Sequence, residues 1–274
     1  MNMAKEKDIP LEILVATMNR NSLQFLYAMF KYNDIRNYTI LVVNQTTEDC
    51  LLESNNSQVR VINTFEKGLS RSRNLAIQKA IGRICLIADD DVIFQKNFQQ
   101  NIISSYEKVP EADLITFKTL TTQGNPYSNY PKTISKLTSF YKKVLSIEIT
   151  FKRESLIKYG ISFDEDFGLG SVFQDGENRL FLKRVINHKD LKAYFVPEFI
   201  VEHESNSSSD QVSSDRFISA RSALNYKLNG NLAYFYSAKL IASLLRKGLI
   251  RPNQIASKWS VVQEAIKTYK LRNA

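Results

Sequence analysis

The stretch Lys67–Asp91, KGLSRSRNLAIQKAIGRICLIADDD, contains a basic turn, a helix start, an apolar strand and three consecutive acids. Ser70 is suited to cap the helix and Gly82 to end it. The apolar residues of this predicted helix recur at helical spacing: Leu69, Ala76, Ile77, Ala80 and Ile81. Ile84 to Ala88 then predicts a buried strand that runs directly into the acids Asp89–Asp91. The stretch therefore predicts a helix–strand unit with a basic end and an acidic end.

The charged groups at these two ends suit a phosphate and a metal ion. Arg71 and Arg73 fall in the first helical turn, where free N–H groups and a partial positive charge bind phosphate. Cations there are unfavourable for the helix, so they indicate an anionic partner, although both could instead pair with nearby surface acids. Asp89–Asp91 repel one another unless a cation neutralises them, and Mg²⁺ or Mn²⁺ prefers carboxylate oxygens. The alternative for these acids is a solvated turn at a strand end.

Apolar runs around this unit complete a repeated pattern of strands and helices. Strands are predicted at Leu11–Thr17, Tyr38–Val43 and Val59–Asn63, and a helix at Leu23–Phe30. The alternation predicts an α/β fold with a mostly parallel, Rossmann-like central sheet covered by helices. Ligands of such sheets lie at the carboxyl ends of strands. We therefore expect Thr17, Asn44 and Asp89 to line one crevice.

The second part of the chain is less regular. The pattern predicts a helix at Phe98–Tyr106, strands at Ala112–Thr119 and Val144–Phe151, and two extended pieces around Pro197 within Ala193–Glu202. Residues 120–140 and the acid- and glycine-rich Asp164–Glu177 predict loops, and the Ser/Asn/Asp-rich segment 204–214 predicts a mobile one. From Asp215 the pattern is helical to the end of the sequence, in three helices.

Charge and composition restrict the class of protein. The chain has 274 residues and a formal net charge of +9. A basic surface attracts nucleic acid, anionic lipid and phosphorylated small molecules alike, so charge alone selects no partner. Cys50 and Cys85 lack metal-ligand spacing and fit a reducing compartment. There is no signal-peptide pattern and no apolar run near the roughly 20 residues that span a bilayer, which predicts a cytoplasmic protein, soluble or peripheral to a membrane.

Three segments, taken in order, resemble the donor-binding half of the family 2 glycosyltransferases of GT-A fold. They are LVATMNR at 14–20, ILVVNQTTED at 40–49 and GLSRSRNLAIQKAIGRICLIADDDV at 68–92. That family has a short strand with a polar turn, a strand of VVDD type, a Gly-x-x-x-x-Arg-Asn helix start and an Asp-x-Asp motif after a strand. The resemblance is collinear through the first third of the chain. The block of Arg-Asn, helix, strand and acids is its specific part.

The resemblance implies a nucleotide-sugar donor and a divalent cation, Mn²⁺ or Mg²⁺. It implies donor binding by Thr17, Asn19, Asn44, Arg71, Arg73, Asn74, Asp89 and Asp90. It implies metal binding by Asp91, with Asp89 and His203 as further ligands, although a lone histidine such as His203 is otherwise a structural polar residue. Asn44 stands where the family often has an aspartate that reads uracil, so a UDP-sugar is the expected donor and the base remains open.

The segment FDEDFGLGSVFQDGENRLFL at 163–182 resembles the acidic loop that faces the acceptor in that family. The resemblance implies that Glu177 is the general base of an inverting transfer, with Asp175 as the alternative. Gly-Glu-Asn at 176–178 replaces the commoner Gly-Glu-Asp. If no such role exists, these acids simply favour the start of the helix near Asn178 through its dipole.

The resemblance, together with these residues, implies a metal-dependent inverting glycosyltransferase of hexosyltransferase type. It would act on a glycan or lipid-linked glycan acceptor in bacterial surface polysaccharide synthesis. The expected domains are a GT-A domain at 1–212, with a nucleotide-sugar half at 1–118 and an acceptor half at 119–212, and a helical region at 213–274. Aromatic and basic residues after Tyr226 suit a helix that lies on an anionic membrane, or one that packs on the catalytic domain.

Three alternatives remain at this point. A nucleotidyltransferase usually has a Gly-rich loop after its first strand, and the turn MNRNS at 18–22 has no glycine. A nucleic-acid-binding protein needs basic residues clustered with exposed aromatics, and the acids at 89–91 and 163–177 oppose that, so no nucleic-acid partner is expected. The third is an inactive relative that only binds glycan, in view of Asn178.

Overall fold

A computed structural model describes residues 9–204 and 212–274 of the chain. Contacts divide the chain into two compact units, each taken as far as it is described. The first comprises Met1–Phe163 and Asn178–Ser205, and the second comprises Asp164–Glu177 and Asn206–Ala274. The predicted mobile segment 204–214 falls largely outside the described residues. No helix within the two described ranges is long and apolar enough to cross a membrane.

The first unit is built on one sheet, which has nine strands in the described part of the chain. The strands are β1 Leu11–Met18, β2 Thr39–Gln45, β3 Val59–Thr64, β4 Ile84–Asp89, β5 Ile93–Phe94, β6 Leu114–Thr121, β7 Ser135–Lys136, β8 Ile149–Lys152 and β9 Ala193–His203. Their order is β3-β2-β1-β4-β8-β6-β9-β5, and β7 pairs with β9. The neighbours among β1–β4 are parallel, as are β6 and β9, while β5, β7 and β8 run antiparallel to their neighbours. The predicted mostly parallel sheet is confirmed.

Helices cover both faces of this sheet because successive strand residues point to opposite sides. The helices are α1 Gln24–Met29, α2 Leu69–Lys79, α3 Phe98–Lys108, α4 Arg153–Lys158 and α5 Glu177–Asn187. On one face, Ile13 and Val15 belong to a buried cluster with Phe98 of α3. On the other face, Leu14 belongs to a cluster with Ile77 of α2 and Phe181 of α5. Strands buried on both faces read as unbroken apolar runs, which is why the sequence reveals them.

The entry into β4 is fixed by a buried acid. Glu12 of β1 is fully buried, and its carboxylate pairs with Arg60 at 2.7 Å. The same carboxylate accepts hydrogen bonds from the backbone N–H groups of Ile81 and Gly82. A Cβ atom added at Gly82 would lie 2.5 Å from Cβ of Glu12, so only glycine fits this approach. Glu12 therefore connects β1, β3 and the turn before β4.

Helix α2 starts and ends earlier than the sequence indicates. Gly68 precedes the first residue of the helix, with a φ of 131° that favours glycine, and the predicted cap Ser70 is a buried residue inside the helix. The helix ends at Lys79 and not at Gly82. The predicted core residue Ile81 is exposed. The predicted cap and end are therefore wrong, because the sharp turn at Gly68 and the Glu12 contact fix the two ends of the helix.

Two further predictions for the second half are wrong in detail. The predicted strand Val144–Phe151 is a 3-10 turn at Ser146–Glu148 followed by β8. The two extended pieces around Pro197 are one continuous strand, β9. Pro197 lies where the register between β6 and β9 shifts, at an irregularity of β-bulge type. A bulge tolerates proline because the missing N–H is not needed for pairing there.

The second unit contains three α-helices in its described residues, as the sequence predicts. They are α6 Asp215–Asn229, α7 Ala233–Arg246 and α8 Ile255–Arg272. Ser214 caps α6 by accepting a hydrogen bond from the N–H of Phe217. Their buried contacts form one cluster: Ile218, Ala233, Ile241, Leu244, Ile250, Val262 and Ile266.

The acid-rich segment Asp164–Glu177 belongs to this second unit through ion pairs. Asp164 pairs with Lys227 and Asp166 with Arg272, both at 2.6 Å. Phe173 also packs near Tyr269, with ring centroids 6.2 Å apart. The segment is therefore held by side chains of α6 and α8, although it lies far from them in the sequence.

Candidate active site

The polar residues predicted at the strand ends are neighbours in the sheet. In the pairing of β1 with β2, Thr17 lies opposite Asn44. In the pairing of β1 with β4, Ala16 lies opposite Asp89. The carboxyl ends of β1, β2 and β4 therefore meet at one edge, as expected for a site in a parallel sheet.

Asp90 is held by two residues that follow or end β1. The hydroxyl of Thr17 donates to its Oδ2 atom. Nε of Arg20 donates to the same oxygen at 2.8 Å, and a second guanidinium nitrogen lies 2.7 Å away. Asn19, the residue before this arginine, has a φ of 53°, a conformation that asparagine adopts more readily than most residues. The structure thus places a partly exposed guanidinium beside the three acids.

The side chain of Asn44 holds this turn through hydrogen bonds to its backbone. It is fully buried, and its Oδ1 accepts from the N–H of Arg20 at 3.1 Å. Its amide nitrogen donates to the carbonyl of Arg20 and to Oδ1 of Asn63, both at 3.0 Å. The side chain of Asn44 therefore fixes the backbone of Arg20. This structural task stands beside its predicted contact with the base of the donor.

Arg73 is a buried cation that holds Asp89. Its side chain is 2% exposed, and it donates to Oδ1 of Asp89 at 2.9 Å and to Oδ1 of Asn178 at 3.2 Å. The guanidinium lies 5.5 Å from the ring centroid of Phe163. A buried charge requires such partners. The departure from Gly-Glu-Asp at 178 thus supplies an amide oxygen to the arginine of the helix start.

The remaining residues of the helix start have different surroundings. The N–H of Gly68 donates to Oε1 of Gln45 at 2.6 Å, which fixes the turn into α2. Arg71 is exposed and lies 3.4 Å from Glu66. Asn74 is buried, and its amide exchanges two hydrogen bonds with the backbone of Phe163. Arg71 thus faces solvent, while Asn74 supports the protein chain.

The turn that contacts Asp89 also carries a buried carboxyl group. Ser146 donates to Oδ2 of Asp89 at 3.3 Å, and the same 3-10 turn carries Glu148. Glu148 is fully buried and accepts from the hydroxyls of Tyr130 and Thr119 and from the N–H of Leu145. Burial raises the pKa of Glu148 to about 7 in spite of these hydrogen bonds.

Asp91 and His203 form the third pair at this edge. Nε2 of His203 lies 3.5 Å from Oδ2 of Asp91. The hydrogen-bonding contact with the carboxylate raises the pKa of His203, against the effect of burial. The same contact lowers the pKa of Asp91. The carboxylate is 65% exposed, so one face of the pair is open to solvent.

The chemistry of this pair fits a divalent cation. A carboxylate oxygen and an imidazole nitrogen are both ligands of Mn²⁺, and two protein ligands leave positions for phosphate oxygens. Asp89 is engaged by Arg73 and Ser146. No group of three or more His, Cys, Asp or Glu residues with metal-binding geometry occurs in the described ranges. The pair Asp91 and His203 would therefore provide the ligands, and Asp89 lies two positions before Asp91 in the sequence.

The two candidate bases belong to the segment Asp164–Glu177 of the second unit. Glu177 is buried and is the first residue of α5. Oδ2 of Asp175 lies 3.4 Å from a guanidinium nitrogen of Arg221. Gly176, between them, has a φ of 96°, and a Cβ atom there would lie 3.0 Å from the side chain of Leu224. The glycine thus lets the chain pass close to α6 between the two acids.

Several residues of the site were not anticipated. Arg20 is the only basic residue of the turn MNRNS, and that position next to a strand end was its signal. Glu148 is an acid between Ile147 and Ile149, which marks a buried polar group. Gln45 and Ser146 carry no signal in the sequence, because their roles depend on residues 23 and 57 positions away.

A family model matches the part of the chain that carries these strands and acids. The sequence model described as "Glycosyl transferase family 2" matches residues 12–186, which include β1–β4 and the three acids. A search of curated proteins found no match.

Solved structures of S. aureus TarS have a similar fold. The structure of TarS 1-349 in complex with UDP-GlcNAc is 15% identical, with a TM-score of 0.60 over 95% of this chain and 80% of that one. The complex with UDP is 14% identical, with a TM-score of 0.57 over 94% and 81%.

A longer TarS structure is 16% identical, with a TM-score of 0.56 over 86% of this chain. This chain spans 43% of that structure. The predicted GT-A fold is confirmed by these similarities. Because the family model covers more than half of the sequence, the chain belongs to glycosyl transferase family 2, and the expected glycosyltransferase is confirmed at the level of the family.

Proposed function

We propose that the chain transfers a sugar from a nucleotide-diphosphate sugar to a hydroxyl group of a glycan or lipid-linked glycan, with inversion at the anomeric carbon. The observation that carries the proposal is the arrangement of Asp89, Asp90 and Asp91 at the carboxyl end of β4. Each of the three acids has a different partner there. The related fold of TarS in complex with UDP-GlcNAc supports a UDP-sugar as the donor.

The donor would lie along the carboxyl ends of β1, β2 and β4. Arg71 is exposed in the first turn of α2 and would face the diphosphate, together with the N–H groups of that turn. Thr17, Asn19 and Asn44 would line the nucleoside pocket. Asp89 and Asp90, fixed by Arg73 and Arg20, would hold the ribose side of the donor. Arg73 and Asn74 are buried, so they would act on the donor indirectly, by holding the residues around it.

Asp91 would hold Mn²⁺ or Mg²⁺, with His203 as a second ligand and Asp89 close by. When bound, such a cation neutralises the charge that develops on the leaving diphosphate. His203 must be neutral to bind a metal, whereas its contact with Asp91 favours its protonated form. Mn²⁺ accepts nitrogen more readily than Mg²⁺ does, so the pair favours Mn²⁺.

The carboxylate of Glu177 would accept the proton of the acceptor hydroxyl. The acceptor oxygen then forms a bond to the anomeric carbon, while the bond from that carbon to the diphosphate oxygen breaks on the opposite side. The nucleoside diphosphate leaves with the electron pair of that bond. Asp175 is the alternative base, although its carboxylate is already close to Arg221.

The proposed setting is the cytoplasmic face of a bacterial membrane, in the synthesis of a surface polysaccharide. A lipid-linked glycan acceptor would be available there. In this proposal residues 1–118 bind the donor and residues 119–212 bind the acceptor, and residues 213–274 form a separate helical region. Hexoses are the proposed class of sugar.

The first test is a thermal-shift panel of nucleotide sugars with and without Mn²⁺, on the parent chain and on Asp91→Asn. We expect a UDP-sugar to raise the melting temperature of the parent more with Mn²⁺ than without it. Asp91→Asn should lose the effect of Mn²⁺ and lower turnover on the order of a thousandfold, because a cation at a diphosphate is worth several kcal/mol.

Asp190→Asn is the matched control, since Asp190 is an exposed acid of the same unit with a backbone hydrogen bond to His188. It should behave like the parent chain. Full activity of Asp91→Asn with Mn²⁺ would contradict the metal assignment. A parent chain that no nucleotide sugar stabilises would contradict the donor.

A further inference from the structure

The excess positive charge of the chain is confined to its C-terminal helices. Residues 212–274 contain eleven Lys and Arg residues and only two acids, Asp215 and Glu264. Their net charge of +9 equals the formal net charge of the whole chain, so the residues before them are neutral in sum. No acid occurs between Asp215 and Glu264. The basic character noted in the sequence is therefore a property of one small part of the chain.

Some of these cations are neutralised within the second unit. Lys227 pairs with Asp164, Arg272 with Asp166, Arg221 with Asp175 and Lys258 with Asp215. Helix α7 and the turn after it are different. Lys239, Arg246 and Lys247 are exposed, and none of the three forms an ion pair with an acid in the described part of the chain. Their charge is available to an external partner.

The same side of α7 carries exposed apolar side chains. Leu232, the residue just before the first turn of α7, is 61% exposed, and Phe235 and Tyr236 are 55% and 41% exposed. These residues and Lys239 are spaced at i, i+3, i+4 and i+7, and Arg246 follows two heptads after Leu232, so they share one side of the helix. We call this set of five residues the α7 face. The opposite side of α7, with Ile241 and Leu244, is buried in the core of the unit.

The basic and aromatic groups of the α7 face are in contact with each other. Nζ of Lys239 lies 4.4 Å from the ring centroid of Phe235. A lysine that lies along an aromatic ring can keep its ammonium group at a charged boundary while the ring enters an apolar layer. In the turn after α7, Leu249 is also exposed, between Lys247 and Arg251. The alternation of apolar and basic groups thus continues past the helix end.

We infer that the α7 face binds the surface of an anionic lipid bilayer. Phe235, Leu232 and Tyr236 would enter the boundary between headgroups and acyl chains, and Lys239, Arg246 and Lys247 would contact lipid phosphates. A helix with apolar residues and cations on its outer side is suited to lie in the plane of such a surface. The binding requires no donor and no acceptor. It would bring the enzyme to lipid-linked acceptors, and that consequence alone rests on the proposed function.

Charge and shape disfavour two other partners. A second copy of the chain would place the cations of one α7 face against those of the other, without acids between Asp215 and Glu264 to pair with them. A nucleic acid would use the cations and could stack on Phe235 and Tyr236, but it would not use Leu232 or Leu249. An anionic bilayer has a use for both the charged and the aliphatic residues.

The test is co-sedimentation of the full chain with vesicles, without donor or acceptor. We expect binding to vesicles of phosphatidylcholine mixed with phosphatidylglycerol and little binding to phosphatidylcholine alone. Lys239→Gln/Arg246→Gln/Lys247→Gln should weaken binding on the order of a hundredfold, since each cation near an anionic surface contributes about a fivefold factor. Leu232→Ser/Phe235→Ser should also weaken it, and should do so at high salt as well as low.

Lys31→Gln/Lys108→Gln/Lys189→Gln is the matched control, because it removes the same charge from exposed positions of the first unit. It should bind as the parent chain does. Fluorescence of the single tryptophan, Trp259, which packs near Tyr234 of α7, checks that the variants are folded. All variants should retain sugar transfer to a water-soluble acceptor, which separates this inference from the proposed function.

Three outcomes would overturn the inference. Equal binding to neutral and anionic vesicles would exclude the role of the cations. An equal loss of vesicle binding in Lys239→Gln/Arg246→Gln/Lys247→Gln and in the matched control would show that net charge, and not this surface, is responsible. Binding to RNA or DNA that survives Leu232→Ser/Phe235→Ser and displaces the vesicles would assign the surface to nucleic acid.

Discussion

At the scale of single residues, Arg20 is a member of the candidate site that the motifs do not single out. Its guanidinium is anchored on Asp90, and its backbone is fixed from both sides by Asn44. An arginine held in this way has lost much of its side-chain freedom before a ligand arrives. Arg20 is therefore suited to meet an anionic donor at little further cost in entropy.

We predict that Arg20 and Asp90 act as one unit in donor binding. Arg20→Lys and Asp90→Asn should each raise KM for the donor about tenfold, because either change breaks the anchored pair. The double variant should show little further loss. Steady-state kinetics of the four chains measures this coupling.

The pair Arg36 and Asp34 serves as the comparison for this cycle. It is an exposed ion pair of similar geometry, at 2.6 Å, away from the three acids in sequence. Arg36→Lys and Asp34→Asn should leave KM unchanged. If the increase in KM of the double variant equals the product of the increases in Arg20→Lys and Asp90→Asn, the two residues act independently.

Glu148 predicts a pH dependence of stability. Its pKa is raised to about 7 in the folded chain from a usual 4.5. The folded state therefore binds the proton more tightly, so this contribution to stability is complete below pH 4.5 and is lost as the pH rises to 7. Over this range Glu148 should cost the parent chain on the order of 3 kcal/mol.

Urea unfolding of the parent chain and of Glu148→Gln from pH 4.5 to pH 8 checks this prediction. The glutamine variant cannot lose a proton, so its stability should fall less across that range. The difference between the two chains should stop changing above pH 7. Parallel curves at every pH would contradict the raised pKa of Glu148.

At the scale of elements, the central strands are predictable from the sequence because they are buried on both faces. β1, β2 and β4 are buried on both faces, and such strands read as continuous apolar runs. The ends of α2 were predicted less well. They depend on the φ of Gly68 and on Glu12, a contact made across about 70 positions. Local propensity does not contain that information.

The turn between α2 and β4 leads to a stability prediction. Gly82→Ala should destabilise the chain by about 2–3 kcal/mol, because the new Cβ would overlap Glu12 at 2.5 Å and force a backbone shift in a buried region. The loss should appear in urea unfolding at neutral pH.

Gly124→Ala is the comparison for this change. A Cβ at Gly124 meets no atom within 4 Å and bears only the strain of a positive φ, about 1 kcal/mol. Gly82→Ala should therefore be clearly the less stable variant. Equal stability of the two would show that the turn at Gly82 relaxes without cost.

At the scale of the whole molecule, the sequence names candidate site residues but does not reveal the side chains that contact them. Thr17 and Asp90 are 73 positions apart, and Arg73 and Asn178 are 105 apart. Strand order brings them together, and a pattern of local spacing cannot reveal that order. Motif resemblance singles out Arg73, Asn74 and Asp89–Asp91 as candidates, but it does not show that Arg73 is buried and donates a hydrogen bond to Asp89.

Net charge illustrates the same limit in another way. A value of +9 over 274 residues resembles a mildly basic protein, yet residues 1–211 are neutral in sum. The excess becomes informative only once α7 is known to turn Leu232, Phe235 and Lys239 to the outside. Composition thus gives only the amount of charge, and the packing of the helices in the second unit shows which surface carries it.

The second unit is assembled from two separate parts of the chain, and this has an evolutionary consequence. The segment with Asp175 and Glu177 is held by Lys227, Arg221 and Arg272, which follow it by about fifty to a hundred positions. A recombination event that replaced only the last helices would bring cations matched to a different loop. We therefore expect the two parts to be inherited together and to change in step, and not by exchange of the C-terminal helices alone.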